Sequence, residues 1–120
     1  MKILALDIGT GTQDILLFDS STTIENCIKL VMPSATVIAA QRIRRATLSR
    51  QPLALVGVNM GGGPVTEAMQ QHLGAGLPVY ATPEAATTFN DDLDLVQSIG
   101  VTLVSPDEVK GLRGAQTVEL

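Results

Sequence analysis

Aromatic side chains are almost missing from this sequence: they make up 2% of its residues, and there is no tryptophan. Hydrophobic residues nevertheless reach 45%, so a core must be built from small aliphatic side chains rather than from large rings. Such side chains favour closely packed α/β layers. Because single cores usually contain ~100–200 residues, we expect residues 1–120 to form one α/β domain.

Cysteine and long apolar runs are equally scarce. Cys27 is the only cysteine, so the chain cannot form an internal disulfide or hold zinc or an iron–sulfur centre in a cysteine cluster. We expect Cys27 to act as a small buried hydrophobe. No uncharged run reaches the ~18 residues needed to cross a bilayer, and the opening MKILALDI has no small-residue cleavage site. These absences predict a cytoplasmic protein with no membrane partner.

A basic surface is also lacking. The net charge is −4, which argues against nucleic-acid binding because recognition of the phosphate backbone needs a basic face. The local exception is a group of four arginines: Arg42, Arg44, Arg45 and Arg50. In a helix over residues 35–49, Arg42 and Arg45 share one face with Ser49, opposite to an apolar stripe. That stripe consists of Ala39, Ile43 and Ala46. We interpret the arginine face as solvated, with an anion site as the alternative.

The first third of the chain alternates apolar runs with turn residues. Two apolar runs at 2–8 and 14–18, separated by a Gly/Thr turn, predict a β-hairpin. A third strand is predicted at 27–32, where Pro33 closes it and Ser34 caps the following helix. The expected fold class is therefore α/β, with a three-stranded antiparallel start followed by parallel β-α units.

The rest of the chain continues in β-α order. The apolar run at 53–58 predicts a central strand that is covered on both faces. Further elements are predicted as a helix at 65–73, a strand at 79–81, helical pieces at 84–88 and 92–99, a strand at 101–104, a short helix from a capping box at 105–108, and a strand at 115–120. Because that last strand starts so late, we expect residues 1–120 to be the N-terminal lobe of a longer two-lobe protein.

The hairpin carries the strongest motif. LALDIGTGTQDILLFD, Leu4 to Asp19, combines a strand that ends in Asp, a Gly-Thr-Gly-Thr turn and a second apolar strand. Two glycines in so short a turn allow positive φ values and keep side chains away, so that backbone N–H groups can converge on phosphate oxygens. The hydroxyls of Thr10 and Thr12 add donors. Asp7, at a strand end beside the turn, is placed to hold a hydrated Mg²⁺.

This pattern resembles the first phosphate motif of the actin, sugar-kinase and heat-shock-chaperone ATPase superfamily, which runs D-x-G-T or D-x-G-S across a hairpin. Asp7, Gly9, Thr10 and Thr12 fall on its positions or on their small polar neighbours. The strand and helix order that follows resembles the ribonuclease-H-like subdomain of such proteins. More narrowly, DIGTGTQDILLFD and NMGGGP resemble an uncharacterised family of this superfamily whose members sometimes carry a pyruvate-formate-lyase-activating-enzyme label. Radical chemistry of that kind needs three cysteines on one cluster, and the chain has only Cys27.

The resemblance implies a lobe that binds Mg-ATP phosphates through residues 7–12, among them Gly11. By the same resemblance, the second phosphate loop and the adenosine pocket lie in a C-terminal lobe, so this chain alone is expected to be inactive and prone to self-association. Whether the full protein hydrolyses ATP or phosphorylates a small-molecule substrate is left open. The alternative is a non-catalytic α/β interaction or scaffold module that keeps the hairpin for structural reasons.

Three further candidates lie outside the hairpin. The run Gly61-Gly62-Gly63 joins a predicted strand to a helix, so its N–H groups are candidates for a substrate or second anion site, with a plain connection as the equal alternative. His72 lies on an apolar stripe, where a structural role is expected. Three acidic residues, Asp91, Asp92 and Asp94, resemble a metal cluster in composition, and we interpret them as helix-capping groups.

Overall fold

The computed structural model describes residues 1–58 and 62–120, which form two β-sheets and five helices. The elements follow in chain order: β1 (Lys2–Ile8), β2 (Thr12–Asp19), β3 (Ile28–Pro33), α1 (Ala35–Leu48), β4 (Leu53–Val56), α2 (Gly63–Gly74), β5 (Val79–Ala81), α3 (Pro83–Ala86), α4 (Leu93–Ser98), β6 (Val101–Leu103), α5 (Pro106–Gly111) and β7 (Gln116–Glu119). The α/β class with an antiparallel start is therefore confirmed.

The first sheet is the antiparallel order β1-β2-β3. β1 pairs with β2 along its whole length, with Asp7 opposite Asp14 and Ile8 opposite Gln13. A 3₁₀ turn at Ile24–Asn26 leads from β2 towards β3. Cys27 stands just before β3, and its Sγ accepts a hydrogen bond from the Asp19 N–H at 3.4 Å. Since Cys27 is only half-buried, the expectation of a buried hydrophobe was wrong: the thiol serves the turn between two strands.

The second sheet is parallel, with the strand order β6-β5-β4-β7. β4 lies in its interior, and Leu53, Ala54 and Leu55 are fully buried, which confirms the central strand expected from this apolar run. The strand ends at Val56 rather than at residue 58. Gly57 has φ +74°, and a Cβ there would lie 2.9 Å from the Leu120 carbonyl oxygen. A left-handed residue in close contact with other backbone ends regular pairing.

Helices α1 and α2 pack on this second sheet around a core of small aliphatic side chains. The stripe predicted for α1 is confirmed, because Ala39, Ile43 and Ala46 are all buried. Val65 and Met69 of α2 join them in the same cluster. Ser34 caps α1, and Ser105 forms a complete capping box with Glu108 at the start of α5. The caps read from the sequence are thus present.

The first sheet extends away from this core. The molecule measures 55 × 28 × 23 Å, and its radius of gyration is 17.8 Å, whereas a compact domain of this length has about 14 Å. Every residue of β1 and β3 is exposed. The hydrophobic core therefore belongs to the parallel sheet and its helices, while the antiparallel sheet buries little of its own apolar surface.

Candidate functional site

The hairpin turn, residues 9–11, is closed by its own backbone. The Gly9 N–H donates to the Thr12 carbonyl at 2.9 Å. Neither Gly9 nor Gly11 has a positive φ, so the turn does not use the left-handed conformation that its glycines allow. A Cβ on Gly11 would meet no atom within 4 Å. What glycine provides at this position is therefore open space above the backbone.

Ser34 ties this turn to the start of α1. Its N–H donates to the Gly11 carbonyl at 3.1 Å, and its Oγ–H donates to the Thr10 carbonyl at 2.8 Å. The same Oγ accepts the Val37 N–H at 3.3 Å, which is the helix cap. Ser34 is only 2% exposed. A single buried side chain thus fixes the hairpin turn against the N-terminus of a 14-residue helix.

A cavity of about 300 Å³ lies where the turn meets α1. Its lining consists of Ile8, Gly9, Thr10, Gln13, Ser34, Ala35 and Thr36. A helix N-terminus carries the positive end of the helix dipole and directs N–H groups outward, which favours anions. The volume is at the lower end of the range for small-molecule sites, so the cavity suits a phosphate group better than a whole nucleotide.

The carboxylates lie beside this cavity and not within its lining. Successive strand residues point to opposite faces, so Asp7 is on the other face of the hairpin from Ile8. Asp7 faces Asp14 across the strand pair, and both residues line a shallow cavity of about 230 Å³ on their own face. Thr12 donates its hydroxyl proton to Asp14 at 3.1 Å. Asp14 lies outside the D-x-G-T positions of the motif, and only the hairpin register, which pairs it with Asp7, identifies it as a candidate.

The glycines of the candidate segment at 61–63 differ in what the structure shows of their surroundings. Gly61 lies outside the described residues. At Gly62 a Cβ would lie 2.9 Å from the Thr88 carbonyl oxygen and 3.1 Å from the Thr66 Oγ1, so close packing explains this glycine. Gly63 is the first residue of α2 and has open space around it. Packing therefore accounts for Gly62 without a ligand.

His72 is fully buried in the second half of α2. Its Nδ1 lies 2.9 Å from the Thr47 Oγ1, which is itself 3.0 Å from the Ile43 carbonyl oxygen. Because a hydroxyl has one proton and the carbonyl can only accept, the arrangement that satisfies all three groups has His72 donating from Nδ1. Its Nε2 is buried without a hydrogen-bond partner. A histidine that no solute reaches agrees with the structural role expected.

Burial also sets the charge state of His72. It lowers the pKa of His72 below the ordinary value of 6.5, and the nearby Pro78 backbone opposes that shift only in part. The Pro78 carbonyl already accepts the Leu53 N–H at 3.0 Å. The side chain is therefore a neutral hydrogen-bonding link between α1 and α2.

The remaining charged candidates behave as surface groups. Arg42 and Arg45 are exposed and line a shallow cavity with Gln116 and Thr117 of β7. Asp92 caps α4, accepting the Asp94 N–H at 3.0 Å, as its position suggested. Among residues 1–58 and 62–120, no group of three His, Cys, Asp or Glu side chains is placed to hold a metal ion.

The fold and site define an α/β protein whose glycine-rich hairpin is anchored on a helix N-terminus. A family profile described as "Putative pyruvate format-lyase activating enzyme (DUF1786)" matches residues 60–119. This segment is half of the chain, so the chain belongs to that family. The match begins beyond the hairpin and covers α2 to β7. Searches of curated proteins and of solved structures found no match.

Membership in this family agrees with the label expected from the DIGTGTQDILLFD and NMGGGP segments. The family match does not show that the chain belongs to the actin-like superfamily. Within the part of the chain that the structure describes, no helix combines the length and apolar character that crossing a bilayer requires.

Proposed function

We propose that this chain is the N-terminal lobe of an actin-like-fold ATPase or kinase, and that it binds the phosphates of Mg-ATP at the hairpin. The observation that carries the proposal is the double hydrogen bond from Ser34 to the carbonyls of Thr10 and Gly11. It fixes a turn without bulky side chains against the positive end of α1. Phosphate sites are commonly built from these two features.

Anion binding is the first step of the proposed function. The cavity between the turn and α1 offers the Thr10 hydroxyl and the Gln13 amide at its wall, while both donors of Ser34 are used to hold the turn. Gly11 leaves the approach to the turn open. A phosphate oxygen there would meet hydrogen-bond donors and the helix dipole together, and no side chain has to move to admit it.

The metal would be held by the carboxylates on the other face of the hairpin. Asp7 and Asp14 are directly opposite each other across the strands, and Mg²⁺ favours one or two carboxylates while it retains several waters. A bound Mg²⁺ would neutralise charge on the phosphates. Because Asp7 is outside the cavity lining, the carboxylates would act on the phosphates through metal-bound water and the edge of the turn.

Catalysis requires more than these groups. Phosphoryl transfer depends on clamping the phosphates from both sides, and the cavity presents one wall. By resemblance, the second phosphate loop and the adenosine pocket belong to a C-terminal lobe. This chain by itself is therefore expected to bind Mg-ATP weakly and not to turn it over, and the small-molecule substrate of a kinase would be bound with the help of that other lobe.

The activating-enzyme description of the family does not fit the residues present. An iron–sulfur cluster for radical chemistry needs several thiolates, whereas this chain has Cys27 alone. The Cys27 Sγ is already engaged by the Asp19 N–H at 3.4 Å and by the Thr23 carbonyl at 3.6 Å. We therefore assign no step to such a cluster.

The rival proposal is a non-catalytic interaction or scaffold module. One observation favours it: the antiparallel sheet exposes apolar side chains instead of burying them, as an interaction module does. In that case the hairpin turn serves only to hold the sheet on α1.

Calorimetric titration of ATP with and without Mg²⁺ separates the two proposals. Asp7→Asn removes the metal-binding charge with little change of shape, so it should abolish the gain in affinity that Mg²⁺ provides, a change of about 10–100-fold if one charge-assisted contact is lost. Gly11→Val places a β-branched side chain in open space, so it should weaken binding with and without Mg²⁺ while the fold stays intact.

Asp91→Asn provides the control, since this exposed aspartate lies in the loop before α4 and the substitution changes the net charge equally. It should titrate as wild type does. If Asp7→Asn and Gly11→Val also bind Mg-ATP as wild type does, the hairpin is structural and the scaffold proposal replaces this one.

A further inference from the structure

One face of the antiparallel sheet is a continuous apolar surface. The register of β1, β2 and β3 places eight large aliphatic side chains on it, which we call the apolar face: Leu4, Leu6, Ile8, Ile15, Leu17, Ile28, Leu30 and Met32. Leu4 is 60% exposed and Ile28 is 59% exposed. Solvated patches of this kind are uncommon on monomers unless they mark an interaction site.

The accessible surface of the molecule is larger than that of a compact monomer of the same mass. The chain exposes 7358 Å², whereas a compact monomer of 12.6 kDa exposes about 6,200 Å². The excess is about 1,150 Å², and a stable protein–protein interface buries about 800 Å² on each partner. A contact that removed this excess would therefore be large enough to hold two chains together.

The distribution of charge distinguishes the two faces of the sheet. On the apolar face the charged residues are Lys2 and Asp19, which form an ion pair of 3.7 Å at one end. The opposite face presents three charged residues within the strands, Asp7, Asp14 and Lys29. When two identical faces meet, their charges lose contact with water, so a face with one ion pair at its end is favoured and a face with three charged residues, two of them adjacent carboxylates, is opposed.

We propose that the apolar face packs against the same face of a second copy of this chain, forming a two-fold dimer of antiparallel sheets. Two such sheets stacked about 10 Å apart interdigitate their aliphatic side chains as in a β-sandwich. The contact leaves Asp7 and Asp14 on the outer surface. Ile8 belongs both to this face and to the lining of the cavity at the hairpin turn, so the dimer is tested without nucleotide. Its failure and the failure of the proposed function are then observed in different experiments.

Tryptophan provides a direct test, because the wild-type sequence contains none. Leu30 and Val31 are consecutive residues of β3 on opposite faces, with exposures of 52% and 68%. In Leu30→Trp the emission should shift to shorter wavelength at high protein concentration and return on dilution. In Val31→Trp, the matched control, the emission should stay at the long wavelength of a hydrated indole at every concentration.

Sedimentation velocity of the 120-residue chain should give a species of twice 12.6 kDa that dissociates on dilution. Leu30→Glu puts a carboxylate from each chain into the apolar contact, so it should raise the dimer dissociation constant at least about 100-fold. Val31→Glu should leave the dimer intact. Circular dichroism verifies that both variants fold. If Leu30→Glu is unfolded, the emission of Leu30→Trp compared with that of Val31→Trp is the deciding test.

Three outcomes would overturn the proposal. The first is a wild-type chain that sediments as a monomer at every concentration and binds no apolar dye. The second is dissociation caused by Val31→Glu and not by Leu30→Glu, which would assign the contact to the opposite face. The third is a monomer that co-sediments with phosphatidylcholine vesicles, which would identify a lipid surface as the occupant.

Discussion

At the scale of single residues, His72 shows how burial determines chemistry. Its ring joins α2 to Thr47 of α1 through one hydrogen bond, and its second nitrogen is buried without a partner. Burial of such a group disfavours its charged form. The cost is tolerated because the ring also fills space between two helices in the core.

We expect the protein to become less stable as the pH is lowered, because of His72. Its pKa is lowered in the folded state, so the unfolded chain binds the proton more readily. The contribution is fully present above the unfolded pKa, near 6.5, and is lost as the pH falls through the folded pKa. Urea unfolding at about pH 7.5 and about pH 5.5 should show the loss, and His72→Leu should reduce it.

Replacing His72 with leucine removes the titrating group without leaving Thr47 unsatisfied. Thr47 can still donate to the Ile43 carbonyl when the ring is gone, so no buried hydroxyl loses its partner. An equal loss of stability on acidification in wild type and in His72→Leu would mean that other groups cause the pH dependence.

At the scale of elements, the first turn of α1 has two functions. Ser34 caps the helix in the ordinary way and also holds the hairpin turn through the Thr10 carbonyl. The sequence indicates the first function, since Ser after Pro33 and before an apolar stripe is a typical cap. The second function depends on where the hairpin lies in space, and no local pattern reveals it.

We expect Ser34→Ala to lower the free energy of unfolding by about 1–2 kcal/mol, through loss of the cap and of a buried hydrogen bond. Ser105→Ala removes a similar cap from the exposed helix α5 and should lower it by about 1 kcal/mol. Hydrogen exchange distinguishes the two variants. Exchange of the Gly9 amide, which donates within the turn, should accelerate in Ser34→Ala alone, and equal protection in both variants would contradict the second function of Ser34.

At the scale of the whole molecule, core and exposed sheet have different roles. The parallel sheet and its helices bury the fully enclosed side chains, including Ile43, Leu55 and Met69. The antiparallel sheet carries the hairpin site and the apolar face. Stability therefore resides in one part of the molecule, and the proposed contacts with nucleotide and with a second chain reside in the other.

The whole chain is also the correct scale at which to test the family's description. We expect protein reconstituted anaerobically with iron and sulfide to show no stable cluster absorbance, since one thiolate cannot hold a cluster that requires several. Cys27→Ala should give the same spectrum. A stable band that disappears in Cys27→Ala, from protein whose sedimentation is unchanged, would contradict the prediction and support the description.

The sequence by itself determined most of the elements of this protein. The caps at Ser34, Asp92 and Ser105 and the buried run at Leu53–Val56 follow from local rules: side-chain oxygens accept free helical N–H groups, and a continuous apolar run fits a strand covered on both faces. The hairpin was predictable for the same reason, because a short turn between two apolar runs leaves few alternatives.

The tertiary structure decided the relations between those elements. Asp14 faces Asp7 because of a pairing register, Ser34 reaches the hairpin turn from another element, and Gly62 is needed because Thr88 packs against it. It also decided that the antiparallel sheet stands apart from the core. Contacts between residues distant in sequence depend on packing over the whole chain, which local propensity and periodicity do not encode.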